Sequence, residues 1–558
     1  MKETKTLGLY VLWFLCLFFP LPFLYHSLPG KTDSWFTLWA LNTYANHLRA
    51  WLTGGYTGDI LYPAPSPLTM GNSSAGLFPL YLLLRPVFNV SPVWGMYVLM
   101  SVVFGLSAWG AYLLARFFKY SWLAALATGF LFANSNMMFG RMDSLDSASV
   151  GTGFIAAYFL LKAFEKSSYT YVLGAVFFSV LTVSLSGDSS IVMALVMLVA
   201  CLVYAGWFMR PANLPIAGVY AGLCVAAIAL FFHWFIAGNT GKLAYNPVDS
   251  IRKINYLSLS GADFLRYQPN NLWHSVLQGG TSTWFYNTSS AATGLVCALL
   301  ALGGLFAKGG KAKVFAIGVT AVGLLLALGP YLVYRPWLQL KSPLYFLFNP
   351  QGIGRFLRLP VRFYGAAWLG ICFLAVNGLR LVGKRFGLTA ALLTALLLLS
   401  EEIPLRFGHY TAEEMMSDPA GNFIKQYTQP TDVLLYLPTG LEAFSEKPLP
   451  PYRSEDISTR EMVYMYWQSL HGRNVLNGYH SFIPYTRIYN QQLIDHLDNP
   501  DSLRALVTNN HLSHIIYYKH QVLLEKEKMQ LNYLKAAGWQ VAAEDENVAI
   551  VNIPLTRE

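Results

Sequence analysis

The stretch "LGLYVLWFLCLFFPLPFLYHSLPGKTDSWFTLW", residues 7–39, is an unbroken apolar run followed by one carboxylate, Asp33, and an aromatic cluster. The run at 7–28 is long enough to cross a hydrocarbon core of about 30 Å. It exceeds a typical signal-peptide core and ends without a small-x-small cleavage pattern, so it reads as a retained span.

Composition extends that reading to the whole chain. Of 558 residues, 54% are hydrophobic and only 12% are charged, against roughly a quarter charged in a soluble domain. This is the balance of a polytopic membrane protein. The net charge of +10 therefore bears on where cations fall relative to the spans, and no nucleic-acid partner is expected. Cys16, Cys201, Cys224, Cys297 and Cys372 all lie inside apolar runs without CxxC or CxxH spacing. They read as small core residues, with no signal for disulfides or metal.

Further apolar stretches recur at about 93–115, 120–138, 148–161, 170–187, 190–209, 213–236, 291–307, 314–334, 363–379 and 386–403, for about eleven spans in all. With a cytoplasmic N-terminus, alternate connections carry Arg116 and Lys119, Lys162 and Lys166, Arg210, "KGGKAK" (308–313) and "RLVGKR" (380–385). All are short and basic, as the positive-inside bias requires. The opposite set contains the long loops 29–92, 238–290 and 335–362 and the tail, which places them outside a cytoplasmic (inner) membrane.

The tail changes character. Charges, prolines and turn residues separate the strand-like "DVLLYLP" (432–438), "SHIIYYK" (513–519) and "NVAIVNI" (547–553) from helix-like stretches around 456–472 and 520–537. The organisation expected is a transmembrane domain over 1–408 and an extracytoplasmic soluble α/β domain over 409–558.

The spans are almost free of ionisable groups, and His233, among aromatics, reads as a packed histidine. A transporter needs charged or broken-helix sites near the midplane. Polar residues here gather instead at the outer edge, in three clusters. The first is Asp33 with "SWFTLWALNTYANHLRAWL" (34–52). Its Trp35, Leu38, Trp39, Leu48 and Trp51 suit a helix lying in the membrane interface, with Asn42, Asn46 and Arg49 turned to water. Asp33 also suits a simple helix cap, and the two roles are compatible. The second is "ANSNMMFGRMDSLDSASVG" (133–151), with Arg141, Asp143 and Asp146, and "SLSGDSS" (184–190), with Asp188; polar helix-ending turns explain these as well. The third is "YRPWLQLKSPLYFLFNPQGIGRFLRLPVRF" (334–363), with Arg335, Lys341, Arg355, Arg358 and Arg362. Outward cations oppose the positive-inside tendency, and several guanidiniums suit a phosphate or pyrophosphate, although snorkelling to lipid phosphates also accounts for them.

An acid, a phosphate clamp and a lipid groove at one face describe transfer of a group from a lipid phosphate to an acceptor hydroxyl. The carboxylate takes the acceptor's proton and cations stabilise the departing phosphate. No glycine-rich nucleotide loop is present. In the tail, "HGRNVLNGYHSF" (471–482) carries His471, Arg473, Asn477, Tyr479 and His480, the content of a sugar-binding surface or of a loop built on its Asn-Gly turn.

These segments, together with "LYPAPSPLTMGNSSAGLFPLYLLLRP" (61–86), "FANSNMMFGRMDS" (132–144), "RFLRLPVRF" (355–363) and "QSLHGRNVLNGYHSFIP" (468–484), make the chain resemble the GT-C superfamily of polytopic membrane glycosyltransferases. The likeness is to the bacterial branch with a soluble C-terminal domain. The resemblance implies a polyprenyl-phosphate-linked sugar donor, an acceptor entering from outside, and a catalytic Asp on the loop after the first span, which is Asp33 here. It implies a second acid on a following outward turn, for which Asp143, Asp146 and Asp188 are candidates. Arg141, His471, Asn477, Tyr479 and His480 are the acceptor-side candidates, and the acceptor is a lipid or a cell-envelope glycan or protein. Asp33 stands alone near the first span, the next acid being Asp59, whereas many members pair acids there. No metal is expected, although an acid pair with Asp33 is able to hold one. The alternatives are a polysaccharide or lipid transporter or flippase component, and a non-catalytic glycan-binding scaffold.

Overall fold

The computed structural model describes residues 2–25, 27–29, 33–47, 74–140, 142, 145–236, 258–259, 293–335, 338–349, 360–402, 409–412, 418–439, 454–477, 485–519 and 525–553. Each apolar run becomes helical over most of its length. In chain order the main elements begin with α1 (Lys2–Phe18), β1 (Ser27–Pro29), α2 (Asp33–Asn46), α3 (Phe78–Val90), α4 (Pro92–Phe117) and α5 (Trp122–Ala133). They continue with α6 (Gly151–Lys166), α7 (Tyr169–Leu185), α8 (Gly187–Val203), α9 (Leu214–Ile236), α10 (Leu295–Phe306) and α11 (Gly310–Ala327). The hairpin β2 (Tyr331–Arg335) and β3 (Leu338–Lys341) precedes α12 (Tyr364–Glu402).

Among the described residues, four helical segments are long and apolar enough to cross a membrane, Glu3–Phe23, Pro92–Phe117, Gly310–Ala327 and Pro360–Glu402, and five more are apolar but shorter. The chain is thus a helical membrane protein. Two local expectations change. The loop 29–92 contains the apolar helix α3, and the run 314–334 leaves the helix at Ala327 to enter the β2–β3 hairpin.

The chain forms two compact units, one of Met1–Tyr25, Leu83–Leu230 and Val248–His409, the other of His26–Leu82, Phe231–Pro247 and Tyr410–Glu558. The second unit therefore joins the segment after α1 to the tail.

In the first unit α12 reverses on itself. Its helical geometry breaks at Gly387, with φ 89° and ψ 173°, a conformation that strongly favours glycine. The Thr293 and Tyr364 hydroxyls meet at 2.8 Å, and Val296 N–H donates to Glu401 at 2.8 Å. Both ends of α12 thus return to the start of α10, as two runs split by "RLVGKR" would require. The outgoing half packs on α10 at backbone contact. A Cβ on Gly378 would lie 1.9 Å from the Leu300 carbonyl oxygen, and one on Gly304 2.0 Å from that of Leu374. Small residues at such crossings let membrane helices close up.

In the second unit the tail follows its expected alternation. It comprises β4 (His409–Ala412), α13 (Gly421–Tyr427), β5 (Val433–Leu437), α14 (Ser454–His471), β6 (Asn474–Val475), α15 (Tyr485–Ile494), α16 (Pro500–Asn510), β7 (Leu512–Tyr518), α17 (Gln530–Ala536), β8 (Gln540–Glu544) and β9 (Val548–Asn552). The five-stranded sheet runs β6-β5-β7-β9-β8. β5 is parallel to β6 and β7, and β9 is antiparallel to β7 and β8. β5 is buried throughout, as a covered parallel strand must be. Its odd residues Val433, Leu435 and Leu437 pack with Leu503, Leu506, Leu531 and Leu534. On the other face Tyr436 meets Tyr464 and Tyr518 edge-on, with ring centres 5.3 and 5.4 Å apart.

Candidate functional site

Asp33 is the first helical residue of α2, half-buried and inside the first turn. There a carboxylate faces the unsatisfied N–H groups and the positive end of the helix dipole. Thr32, at the cap position, lies outside the described residues. The entry is held by β1, which pairs with β4 at the head of the tail.

The interfacial reading of α2 is overturned. Ser34, Trp35, Thr37, Leu38, Trp39, Ala40, Leu41, Thr43 and Tyr44 are all buried, so apolar and small polar residues cover every side of the helix. Its amides bond to protein, although Asn46, at the end of the helix, stays exposed. Asn42 Nδ2 donates to Ser469 Oγ at 3.3 Å while its Oδ1 accepts from Tyr81 OH at 2.9 Å. Asn46 Nδ2 donates to the Ser469 carbonyl at 3.4 Å, and Trp39 Nε1 donates to Gln468 Oε1 at 3.3 Å. Trp35 packs on Tyr466, 5.1 Å between ring centres, and Tyr44 on Phe78 at 5.6 Å. α2 is a strut fastened to α14 on one side and to the start of α3 on the other. Leu48, Arg49 and Trp51 lie outside the described residues.

Two acceptor-side candidates have internal duties. Asn477 is 1% exposed. Its Oδ1 accepts from Tyr436 N–H at 2.6 Å and its Nδ2 donates to Tyr436 O at 3.0 Å, joining the end of β6 to β5. His471 Nδ1 accepts from Arg473 N–H at 3.0 Å, which leaves Nε2 to bond the Tyr436 hydroxyl. Burial, with Arg473 and Lys425 adding repulsion, pushes its pKa down to about 3. Neither amide nor imidazole is offered to a sugar, because groups of the domain itself occupy both. Tyr479 and His480 lie outside the described residues.

In the first unit the acid-bearing turns share one end of the bundle. Asp146 lies in the helical turn Leu145–Ala148, and Asp188 in the first turn of α8. Ser107 fixes the first turn, donating to Ala148 O at 2.7 Å and accepting from Gly151 N–H at 3.3 Å. Thr152 and Thr182 meet at 3.0 Å, joining the start of α6 to the end of α7 just before Ser186, whose hydroxyl caps α8. Asp143, Arg141, Arg355 and Arg358, and the side chains of Asp146, Asp188, Arg335 and His233, lie outside the described residues. Lys341 is exposed at the foot of β3, its Nζ 4.6 Å from the centre of the Tyr345 ring. Arg362 is half-buried in the 3-10 turn Pro360–Phe363 that opens α12.

Sequence reading missed a buried acid pair. Glu401 and Glu402 end the apolar run "LLLLSEE", where adjacent acids ordinarily mark a membrane exit, yet they are 1% and 0% exposed. Glu401 accepts from Val296 N–H at 2.8 Å and Cys297 N–H at 3.2 Å, capping α10. Glu402 Oε2 accepts from Asn136 N–H at 3.1 Å, and Asn136 Nδ2 donates to Glu401 O at 3.0 Å. The available signal was two adjacent acids closing an apolar run, which reads equally well as an ordinary membrane exit.

No protein-family profile matches the chain, and no curated protein does. Solved structures of the oligosaccharyltransferase of Archaeoglobus fulgidus are similar to it. The archaeal enzyme in complex with an inhibitory peptide and a dolichol-phosphate covers 100% of this chain and 75% of its own, at 13% identity and a TM-score of 0.43. Its apo form covers 92% and 69%, at 14% identity and a TM-score of 0.48. The form tethered by a disulfide to an acceptor peptide containing the NVT sequon covers 100% and 75%, at 13% identity and a TM-score of 0.42.

Proposed function

We propose that this chain is a GT-C-type membrane glycosyltransferase that moves a sugar from a polyprenyl-phosphate-linked donor to an acceptor hydroxyl at the outer membrane face. The observation that carries the reading is the mounting of Asp33. Nine of the fourteen residues of its helix are buried, and Trp39, Asn42 and Asn46 fasten it to α14. A carboxylate that only capped a surface helix would have no use for such a mount, whereas a catalytic group needs its supporting shell locked.

In the proposed reaction the acceptor oxygen attacks the anomeric carbon from the face opposite the phosphate. Asp33 takes the acceptor's proton as the new C–O bond forms. The bond from carbon to the phosphate oxygen breaks, and the lipid phosphate leaves with the electron pair. Arg335, Lys341, Arg355, Arg358 and Arg362 supply the cations for that developing charge. Asp143, Asp146 or Asp188 serves as the second acid, and Arg141, Tyr479 and His480 remain the acceptor-side residues. The C-terminal domain lies on the same outer side, where it helps to hold the base and to select the acceptor.

Asp33→Asn tests this. With sugar radiolabelled on a polyprenyl-phosphate donor, the variant should insert at wild-type abundance and lose transfer by about 10²–10⁴-fold. Undiminished transfer would remove Asp33 from the mechanism.

A further inference from the structure

The first unit has a second end, and its chemistry is cationic and aromatic. Lys162 in the last turns of α6, Arg210 between α8 and α9, and Lys311 in the first turn of α11 are far apart in sequence but converge on one ring cluster. Phe117, at the end of α4, lies 5.5 Å from Tyr204 and 6.1 Å from Trp207, and the last two rings are 4.3 Å apart. Lys311 Nζ stands 4.4 Å from the Tyr204 ring centre and 5.5 Å from that of Trp207. The Arg210 guanidinium stands 5.8 Å from the same indole.

The turn that presents these groups is built. Asn213 is 0% exposed. Its Nδ2 donates to Phe164 O at 3.0 Å and to Trp207 O at 2.8 Å, and its Oδ1 accepts from Ser167 Oγ at 2.8 Å. A buried amide therefore clamps the Trp207–Arg210 turn to the end of α6.

Charge is left over. Lys162, 5.4 Å from the Phe117 ring, is neutralised by Glu165 at 2.6 Å. Among the described residues, Arg210 and Lys311 meet no carboxylate within ion-pair distance, and both are exposed. Beside them Leu202, Met209 and Val314 are 68%, 76% and 59% exposed. Two cations with no carboxylate partner among the described residues, over an aromatic platform and flanked by outward apolar side chains at the ends of membrane helices, present the two halves of a lipid's chemistry at once.

We propose that this junction of α4, α6, α8 and α11 binds the headgroup phosphate of an anionic glycerophospholipid. Arg210 and Lys311 contact the phosphate, the rings of Trp207 and Tyr204 hold those cations in place, and the acyl chains lie along Leu202, Met209 and Val314. A guanidinium offers a phosphate two parallel N–H donors, and rings hold cations by their quadrupole. Basic pockets between membrane helices select net-negative lipids, because a zwitterionic headgroup brings an ammonium that the same cations repel.

The test uses the purified full-length protein and native mass spectrometry after exchange into mixed phosphatidylglycerol and phosphatidylcholine. Wild type should hold phosphatidylglycerol over phosphatidylcholine by about tenfold. Arg210→Gln with Lys311→Gln should abolish that preference without changing the melting temperature in phosphatidylcholine. The single variant Lys311→Gln, at an exposed side chain, should weaken the preference even if the double variant folds poorly. Lys166→Gln, exposed at the end of α6 outside the ring cluster, should retain it. Equal retention of the two lipids by wild type, or an intact preference in Lys311→Gln, overturns the proposal. So does displacement of phosphatidylglycerol by millimolar inorganic phosphate, which would mark a site for the free anion.

Discussion

His471 shows how a single residue's chemistry is set by what surrounds it. Its Nδ1 is occupied by the Arg473 N–H, so protonation there would break a backbone hydrogen bond in a buried place. At the far end of the same aromatic patch, Tyr518 OH donates to Asp418 Oδ1 at 2.9 Å, and burial pushes the Asp418 carboxyl up to about 6. The two groups pull stability in opposite directions. Unfolded histidine takes a proton near 6.5 that folded His471 refuses until about 3, so its contribution is lost as pH falls from about 6.5 to 3. Unfolded Asp418 loses its proton near 3.8 and the folded residue only near 6, so its contribution is lost as pH rises from about 4 to 6. Between pH 6.5 and 4 the two contributions nearly offset each other, and the histidine's share is read from its removal. Relative to wild type, His471→Gln should make the melting temperature of the full-length protein rise as pH falls from 6.5 to 4. An unchanged slope would show that the imidazole does not govern it. None of this was legible in "HGRNVLNGYHSF", where histidine and amide read equally well as sugar contacts; the distinction lay in backbone partners as far off as Tyr436.

At the scale of the element, the helix after Asp33 was legible and its surroundings were not. Helical spacing in "SWFTLWALNTYAN" picks out Trp35, Leu38 and Trp39 as one face and Asn42 and Asn46 as polar punctuation. The pattern cannot say whether the apolar face meets lipid or protein, because both exclude water. The amides decide it, and their partners on α14 lie more than four hundred residues along the chain. A double-mutant cycle measures the link. Trp39→Phe and Gln468→Ala each remove one side of a buried hydrogen bond of 3.3 Å, and their combined effect on unfolding should fall short of additivity by about 0.5–1.5 kcal/mol. Additive effects would mean that the indole and the amide act independently. The α12 hairpin was legible for the opposite reason. Its two apolar runs and the basic break between them are local features, and the chain need only reverse there.

At the scale of the whole molecule, the division of the chain departs from sequence order. Residues His26–Leu82 belong with Tyr410–Glu558. A protein truncated after residue 409 would keep every residue of α2 but lose the α14 surface on which Trp35, Trp39 and Asn42 rest. We expect the truncated protein to insert, to be cleaved by protease within residues 33–47 where the full-length protein resists, and to lose transfer. Equal protease resistance in the two forms would detach α2 from the tail.

What the sequence by itself determined is the class of the protein: a helical membrane chain with basic short connections and an α/β tail. Run length, charge content and the change of periodicity near residue 409 are local quantities, and bilayer thickness and backbone hydrogen bonding act on them locally. Only the tertiary structure decided which polar residues are spent on the fold. It set Glu401 and Glu402 as buried clamps, Asn477 as a backbone bridge, Asn42 as a strut, and Arg210 and Lys311 as cations that meet no carboxylate among the described residues. A side chain's partners come from distant segments, and the energy of leaving a buried polar group unpaired is settled only when those segments meet.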